Sequence, residues 1–307
     1  MLSRGCARSQ FVRCFGLHAS SGPGKPPKPV VLPTFPSDAD YLFGVSPVQS
    51  ALEAKKRLLC GSILVQAGIE IKEALFDRCR EVDLAIVRAP KFQLDILVGN
   101  RPHQGYVLPC SPMHAPLVRN VHDLHELSSQ ARSTAAASPL MLCLDEVMDP
   151  MNLGALLRSA FLLSVAGVLV SARNSAPLTP TVSKASAGAL ELMTDSIFAV
   201  DRMDVMLEEM KRAGYWVIAA AGMEDTVSAK RMTPGVKKLE YSQLSRLPPL
   251  QKRVLVLGNE GAGLRTNVLR SCSHVTSIPM RSHSTVDSFN VSVAGALLMD
   301  RLRTTER

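Results

Sequence analysis

From residue 140 onward, short apolar runs alternate with helical patterns, and no other feature of the chain restricts its fold as strongly. The runs are LMLCLDEV (140–147), AGVLVSA (166–172), DSIFAV (195–200), YWVIAAAG (215–222), RVLVLGNE (253–260) and HVTSIPM (274–280). Helical patterns lie between several of them, at 153–164, 181–193, 201–213 and 263–272. A last helix is predicted from about Asn290 to Arg303. Strands that are apolar on consecutive residues are buried on both faces. The pattern therefore predicts an α/β domain, a parallel sheet covered by helices on both sides. Such sheets bind ligands at the carboxyl ends of their strands. The loops after residues 147, 258 and 280 are thus the places to look for chemistry.

The preceding part reads as a smaller α/β unit over residues 40–112. VSPV at 45–48 opens a helical pattern, and SILVQA (62–67) and LAIVRA (84–89) read as strands. IKEALFDRCREV (71–82) is an amphipathic helix between them. GNRPHQG (99–105) is a turn ahead of YVLPC. Residues 113–138 are poor in pattern and end Ser/Ala-rich, which predicts a linker to a larger domain over 139–307. The stretch 22–36, dense in Pro and Gly, predicts an extended, unpacked linker. The 307 residues are enough for both domains.

Net charge is +8, but residues 1–37 hold five bases (Arg4, Arg8, Arg13, Lys25, Lys28) and no acid. Without them 30 bases face 27 acids, so charge alone makes RNA a reasonable partner and no more. The acid-free start, with Leu2, Phe11, Val12, Phe15 and Leu17 among the bases, has the composition of a mitochondrial transit peptide. Arg8 and Arg13 interrupt the apolar core that a secretory signal needs. No apolar run approaches the roughly 20 residues that span a bilayer, so no membrane partner is expected. The seven cysteines are scattered without a CxxC pair, which speaks against a zinc or redox site.

Three segments hold candidate site residues. In DEVMDPMNLGALLRSA (145–160), Pro150 and Asn152 mark a turn and a helix start. Arg158 sits on an otherwise apolar helix. It reads equally as a surface arginine lying along that helix or as a guanidinium aimed at a phosphate or a developing oxyanion. VLVLGNEGAGLR (254–265) puts Gly258, Gly261 and Gly263 between a strand and a helix. A dinucleotide fingerprint would be GxGxxG, whereas this order is GxxGxG. Glu260 inside the loop also disfavours a phosphate. The loop suits a ligand with positive charge and no phosphate, such as S-adenosylmethionine, or else serves as a plain structural turn. In SIPMRSHSTVDSFNVSVAGALLMDRLR (277–303), Ser288 or Asn290 reads in isolation as a helix N-cap. Val291, Ala294, Gly295, Leu298 and Leu302 form a stripe suited to close packing, in the core or against a second subunit. A hydrolase built on Ser288, His283 and Asp287 is rejected: there is no GxSxG elbow, and adjacent Ser and Asp cannot form a triad.

Together these segments resemble the SpoU/TrmH group of SPOUT RNA methyltransferases, whose three motifs match DPMNLGALLRSA, VLGNEGAGL, and SIPM followed by SFNVSVAGALL. YLFGVSPVQSALEA and NRPHQG resemble the small RNA-binding domain that precedes the catalytic one. The resemblance covers about 41–303. It implies a trefoil-knotted parallel-sheet catalytic domain, acting as a homodimer, that methylates ribose 2′-oxygens with S-adenosylmethionine. With the transit-like start, the implied substrate is a guanosine of mitochondrial large-subunit rRNA in the matrix, in support of ribosome biogenesis. It assigns Asn152, Arg158, Glu260, Ser288 and Asn290 to catalysis. Cofactor would be held near Leu257, Gly258, Gly263, Ile278, Met280, Phe289 and Asn290. RNA would be contacted by Arg158 and, in the small domain, His103 and Gln104, a pair that equally suits a structural turn. Two departures stand out: the 281–287 loop is slightly longer than in bacterial relatives, and Phe289 stands where Leu is commoner. The rival readings are a non-catalytic ribosome assembly factor of the same fold and an NAD-dependent enzyme.

Overall fold

The small sheet shows how side-chain alternation sorts a strand onto two faces. The computed structural model describes residues 29–131, 140–222, 235–280 and 288–303. Its first elements are β1 (Asp40–Phe43), α1 (Val45–Ala54), β2 (Ser62–Gln66), α2 (Glu73–Glu81), β3 (Ala85–Ala89), α3 (Lys91–Leu97) and β4 (Tyr106–Cys110). The strands lie in the order β1-β4-β2-β3, with β2 and β3 parallel and the other pairs antiparallel. Leu42, Ile63, Val65 and Leu108 pack with α1 and α2. Their neighbours Phe43, Leu64 and Val107 face the other way, onto α3.

The larger sheet takes in β5 (Leu117–Val118), β6 (Leu140–Leu144), β7 (Gly167–Ser171), β8 (Ile197–Val200), β9 (Trp216–Ala220), β10 (Lys237–Lys238), β11 (Arg253–Leu257) and β12 (His274–Thr276). Its order is β10-β12-β9-β11-β6-β7-β8-β5, and every pairing is parallel. One face packs Leu140, Leu142 and Leu144 against α5 (Pro150–Leu162), α6 (Pro180–Ala185), α7 (Ala189–Leu192), α10 (Val291–Leu302) and a 3-10 helix, Tyr241–Arg246. The other packs Met141 and Cys143 against α4 (Val121–Ala131), α8 (Met203–Arg212) and α9 (Thr266–Ser271). Sheet and helices on both sides are as the apolar runs predict. Because all strands run one way, the ends of β6, β11 and β12 open on the same edge. Among the described residues no helix is long and apolar enough to cross a membrane.

Several local expectations need correction. The stretch 113–138, expected to be a linker, contributes β5 to the edge of the large sheet beside β8 and then α4, whose Leu124 is fully buried. A two-residue strand is too short to show alternation. The single helix expected at 181–193 is two, because Ala187 and Gly188 take positive φ between α6 and α7. Helix α3 escapes the sequence because Phe92, Leu94 and Ile96 alternate like a strand, and only Leu94 is buried. The Pro/Gly stretch is extended as expected but is packed within the described part. Val30 exchanges two hydrogen bonds with the Gln93 amide, and Leu32 and Phe35 lie on the small core. Residues 1–28, on which the targeting reading rests, and the loop 281–287 lie outside the described residues.

Candidate active site

Asp149 starts the first site segment. Its carboxylate accepts from Met151 N at 3.1 Å and Asn152 N at 3.3 Å, and Pro150 supplies the first helical residue of α5. This fixes Asn152 at the mouth of the sheet. The Asn152 Nδ2 donates to Glu260 Oε1 at 2.9 Å. The Asn152 Oδ1 accepts from Asn290 Nδ2 at 3.0 Å. Asn290 Oδ1 in turn accepts from Ser292 N at 2.9 Å, which caps α10. The cap reading and the site reading of Asn290 therefore both hold, one on each end of its amide. A single chain of side-chain hydrogen bonds, Asn290–Asn152–Glu260, joins all three segments that the sequence singles out.

The glycine loop is held from inside. Asn259 and Gly263 exchange both backbone hydrogen bonds at 3.0 Å, closing the loop at its stem. Asn259 Oδ1 accepts from Gly261 N and Ala262 N, and its Nδ2 donates to Glu146 O at 3.0 Å. Glu260 is left exposed at the tip. Below the loop, the buried Asp145 carboxylate takes the Arg265 Nε at 3.0 Å and the Arg265 backbone N–H at 3.3 Å. Hydrogen bonds to Asp145 hold the Arg265 pKa above its ordinary value, outweighing the effect of burial. Asp145, Asn259 and Arg265 are site-building residues that the sequence reading did not single out. Asp145 directly follows an apolar strand and Asn259 comes two residues after one, which is the signal that would have found them.

The other expected residues are placed as follows. Leu257 is buried, and its side chain lies against α10 where Gly295 leaves room: a Cβ there would meet Leu257 Cδ1 at 2.7 Å and Leu156 Cδ2 at 2.4 Å. The small-residue stripe thus serves the core. Gly258 and Gly263 form the stem of the loop. Ile278 is half-buried against the large core, Met280 is half-buried, and Ser288 and Phe289 are exposed just ahead of the α10 cap. Thr276, the last residue of β12, is fully buried, and its hydroxyl has no hydrogen-bond partner among the described residues. A buried orphan hydroxyl at the ligand-binding edge is the kind of group a bound molecule satisfies.

Arg158 does not join the chain of hydrogen bonds. Six residues from Asn152, it lies about 120° away around α5. It is exposed, and among the described residues it makes no ion pair. It shares an outward stripe with Met151 and Leu162, themselves 58% and 67% exposed. Glu260, an acid of the same site, is bonded to Asn152 and not to Arg158. For His103 one of the two open readings fits. It is 3% exposed, its Nδ1 accepts from Gly105 N at 2.9 Å, and its Nε2 lies 3.1 Å from Asp95 Oδ1. Both ring nitrogens are used inside the turn, so the structural reading of His103 replaces the RNA-contact reading. Gln104 is exposed, with its Oε1 accepting from Lys184 Nζ at 2.7 Å.

Comparison with known proteins gives the family and the fold. The family described as SpoU rRNA Methylase matches residues 139–300, and the module described as RNA 2′-O ribose methyltransferase substrate binding matches 41–116. The protein named mitochondrial rRNA methyltransferase 1 is 33% identical in Schizosaccharomyces pombe, over 85% of this chain and 89% of that one. Its human namesake is 35% identical, over 86% and 72%. Among solved structures, an AdoMet-bound rRNA methyltransferase from Sinorhizobium meliloti superposes with a TM-score of 0.61 at 17% identity, over 87% of each chain. A structure titled RNA 2′-O ribose methyltransferase gives 0.60 at 24% identity, over 86% and 88%. The fold is therefore the SPOUT fold, a parallel-sheet catalytic domain behind a small α/β domain, and the chain belongs to the SpoU rRNA methylase family.

Proposed function

We propose that the chain transfers a methyl group to the ribose 2′-oxygen of a guanosine in mitochondrial large-subunit rRNA, in support of ribosome biogenesis. The observation that carries the reading is the Asn290–Asn152–Glu260 chain, which brings three separate motifs into one site at the carboxyl ends of β6, β11 and β12. The mitochondrial setting rests on the names of the relatives, and the matrix is where such rRNA resides. The residues fit S-adenosylmethionine: a loop lacking the dinucleotide order, an acid at its tip, and the unpartnered Thr276 hydroxyl nearby in the sheet. Leu257, Gly258, Gly263, Ile278, Met280, Phe289 and Asn290 would hold it. When bound, it supplies an electrophilic methyl group on a sulfonium.

The rest falls to side chains of the protein. A ribose hydroxyl is a poor nucleophile and must lose its proton during attack; at this open edge of the sheet the proton passes to solvent. Guanidinium groups do not serve as general bases in proteins, which leaves Arg158 an electrostatic part. Its role is to grip an RNA phosphate and to stabilise charge growing on the 2′-oxygen. Asn152 and Asn290 orient the ribose, with Ser288 beside them and Glu260 fixing the Asn152 amide. Holding both reactants in line supplies much of the acceleration. The small domain reads folded RNA by shape, with Gln104 and the exposed Arg101 on its 99–105 turn.

The active form is a homodimer. Support comes from one apolar surface: Met151 and Leu162 on α5, Val293 and Leu297 on α10, and Phe289, between 38% and 67% exposed. Arg158 lies within that stripe, so dimerisation carries it from open solvent to an interface. The test is methyl transfer from labelled S-adenosylmethionine to a transcript of the rRNA, with the product mapped by resistance to alkaline cleavage. One protected guanosine is expected; label on a base, or no label, overturns the reading.

A further inference from the structure

The contact between the two sheets is not a tether. Arg57, just past α1 in the small unit, has a side chain only 2% exposed. Its Nε and Nη2 donate to Glu191 Oε2 and Oε1 at 2.8 and 3.0 Å, a two-pronged pair. Its Nη1 donates to Asp40 Oδ2 and to Ser111 O, both at 2.8 Å. Glu191 belongs to α7 of the large unit and is 1% exposed on its side chain. Burial pulls the Arg57 pKa down, but the hydrogen bonds and charge of Glu191 overcome it and hold the pKa above its ordinary value. Arg57 stays charged in a buried joint.

Close packing surrounds the pair. At Gly188, ahead of α7, a Cβ would meet Ser50 Oγ at 2.3 Å and Ser46 O at 2.9 Å, both on α1. Lys56 bridges Asp195 on one side, and Lys184 bonds Gln104 on the other. The contact then continues inward. A Cβ on Gly154 of α5 would meet Ala185 Cβ of α6 at 2.4 Å. Gly154 is two residues from Asn152. The small unit is thus seated on α6 and α7, which are seated on the helix that presents Asn152.

Buried ion pairs are poor sources of stability, because desolvation offsets most of the attraction; in some proteins what they fix is geometry. We propose that Arg57 and Glu191 are positioning residues that lock the small unit in one orientation, so that RNA held there meets the methyl donor at a set distance. The lock selects the target nucleotide by distance as well as by shape. This rests on the reading of the chain as an RNA methyltransferase.

The test uses the full chain and three forms: wild type, Glu191→Gln, and the double variant Arg57→Met with Glu191→Leu. The double variant replaces the pair with apolar groups of similar size, and Asp40, which Arg57→Met leaves unpaired, keeps contact with solvent, so the protein stays folded even if Glu191→Gln does not. Melting, S-adenosylmethionine affinity, RNA kinetics and the position of the methyl mark are read for each. The double variant is expected to melt near wild type and to bind the cofactor equally well. Its kcat/KM for RNA falls about 10- to 100-fold, the scale of a small misplacement of reactants, and marks spread to neighbouring nucleotides. If it methylates the single wild-type position at the wild-type rate, the pair is mere filling and the proposal is wrong. If wild type itself methylates no RNA, the functional reading fails instead, so the two failures are distinguishable.

Discussion

Asn290 does two jobs with one amide, and two substitutions separate them. Asn290→Ser keeps a good N-cap for α10 but loses the Nδ2 donor to Asn152. It should leave the melting temperature nearly unchanged while kcat falls about 10- to 100-fold, the cost of a misoriented reactant. Asn290→Ala should show the same kinetic loss and in addition cost about 1 kcal/mol of stability in denaturant melts. A second prediction concerns His274, stacked on Trp216 with centroids 4.4 Å apart. Burial, and then the charge of Lys237, lower its pKa below the ordinary histidine value. The unfolded chain therefore binds the proton more readily than the folded one. Stability from this group is fully present above about pH 6.5 and is lost as pH falls from there through the lowered folded value. Melting followed from pH 8 to 5 should show that loss, and His274→Gln should flatten it. At this scale the sequence was readable where a residue's placement follows from a motif in order, as with Asn152, Glu260 and Asn290, which the fold brings together. It was unreadable where a role depends on distant partners. Arg158 looked ambiguous because its spacing from Asn152 gives a rotation and no neighbour. His103 stayed open between a contact and a structural turn because a polar turn residue and a buried turn organiser have the same local sequence.

Among the elements, α10 is the most demanding. It reaches the sheet only because Gly295 admits Leu257 and Leu156. Gly295→Val would force those side chains aside at a cost of about 1–3 kcal/mol. Because Leu257 precedes the glycine loop, the same substitution should weaken cofactor binding as well as lower the melting temperature. A variant that loses stability without losing affinity would show that the loop is positioned independently of α10. The long apolar strands β6, β7, β9 and β11 were legible because burial on both faces leaves one reading of the run. Elements shorter than two periods were not. β5 has two residues and β10 is Lys237–Lys238, with no apolar signal at all. Their place in the sheet is set by backbone pairing with β8 and β12, which no local pattern records.

For the whole molecule, two units are fixed to one another through α6 and α7, and an apolar surface on α5 and α10 remains uncovered in the single chain. Leu297→Asp puts a charge in that surface without touching the buried residues of α10. It should convert a dimer to a monomer in sedimentation and lower methyl transfer, with little change in secondary structure; an unchanged dimer would place the interface elsewhere. The central claim is that the turns after β11 and β12 bind S-adenosylmethionine beside Asn152. Calorimetry on the full chain, with S-adenosylmethionine and NAD titrated in parallel, tests it most directly. The account predicts saturable binding of S-adenosylmethionine, abolished by Gly258→Val, and no binding of NAD. Binding of NAD, or S-adenosylmethionine binding that survives Gly258→Val, would contradict it.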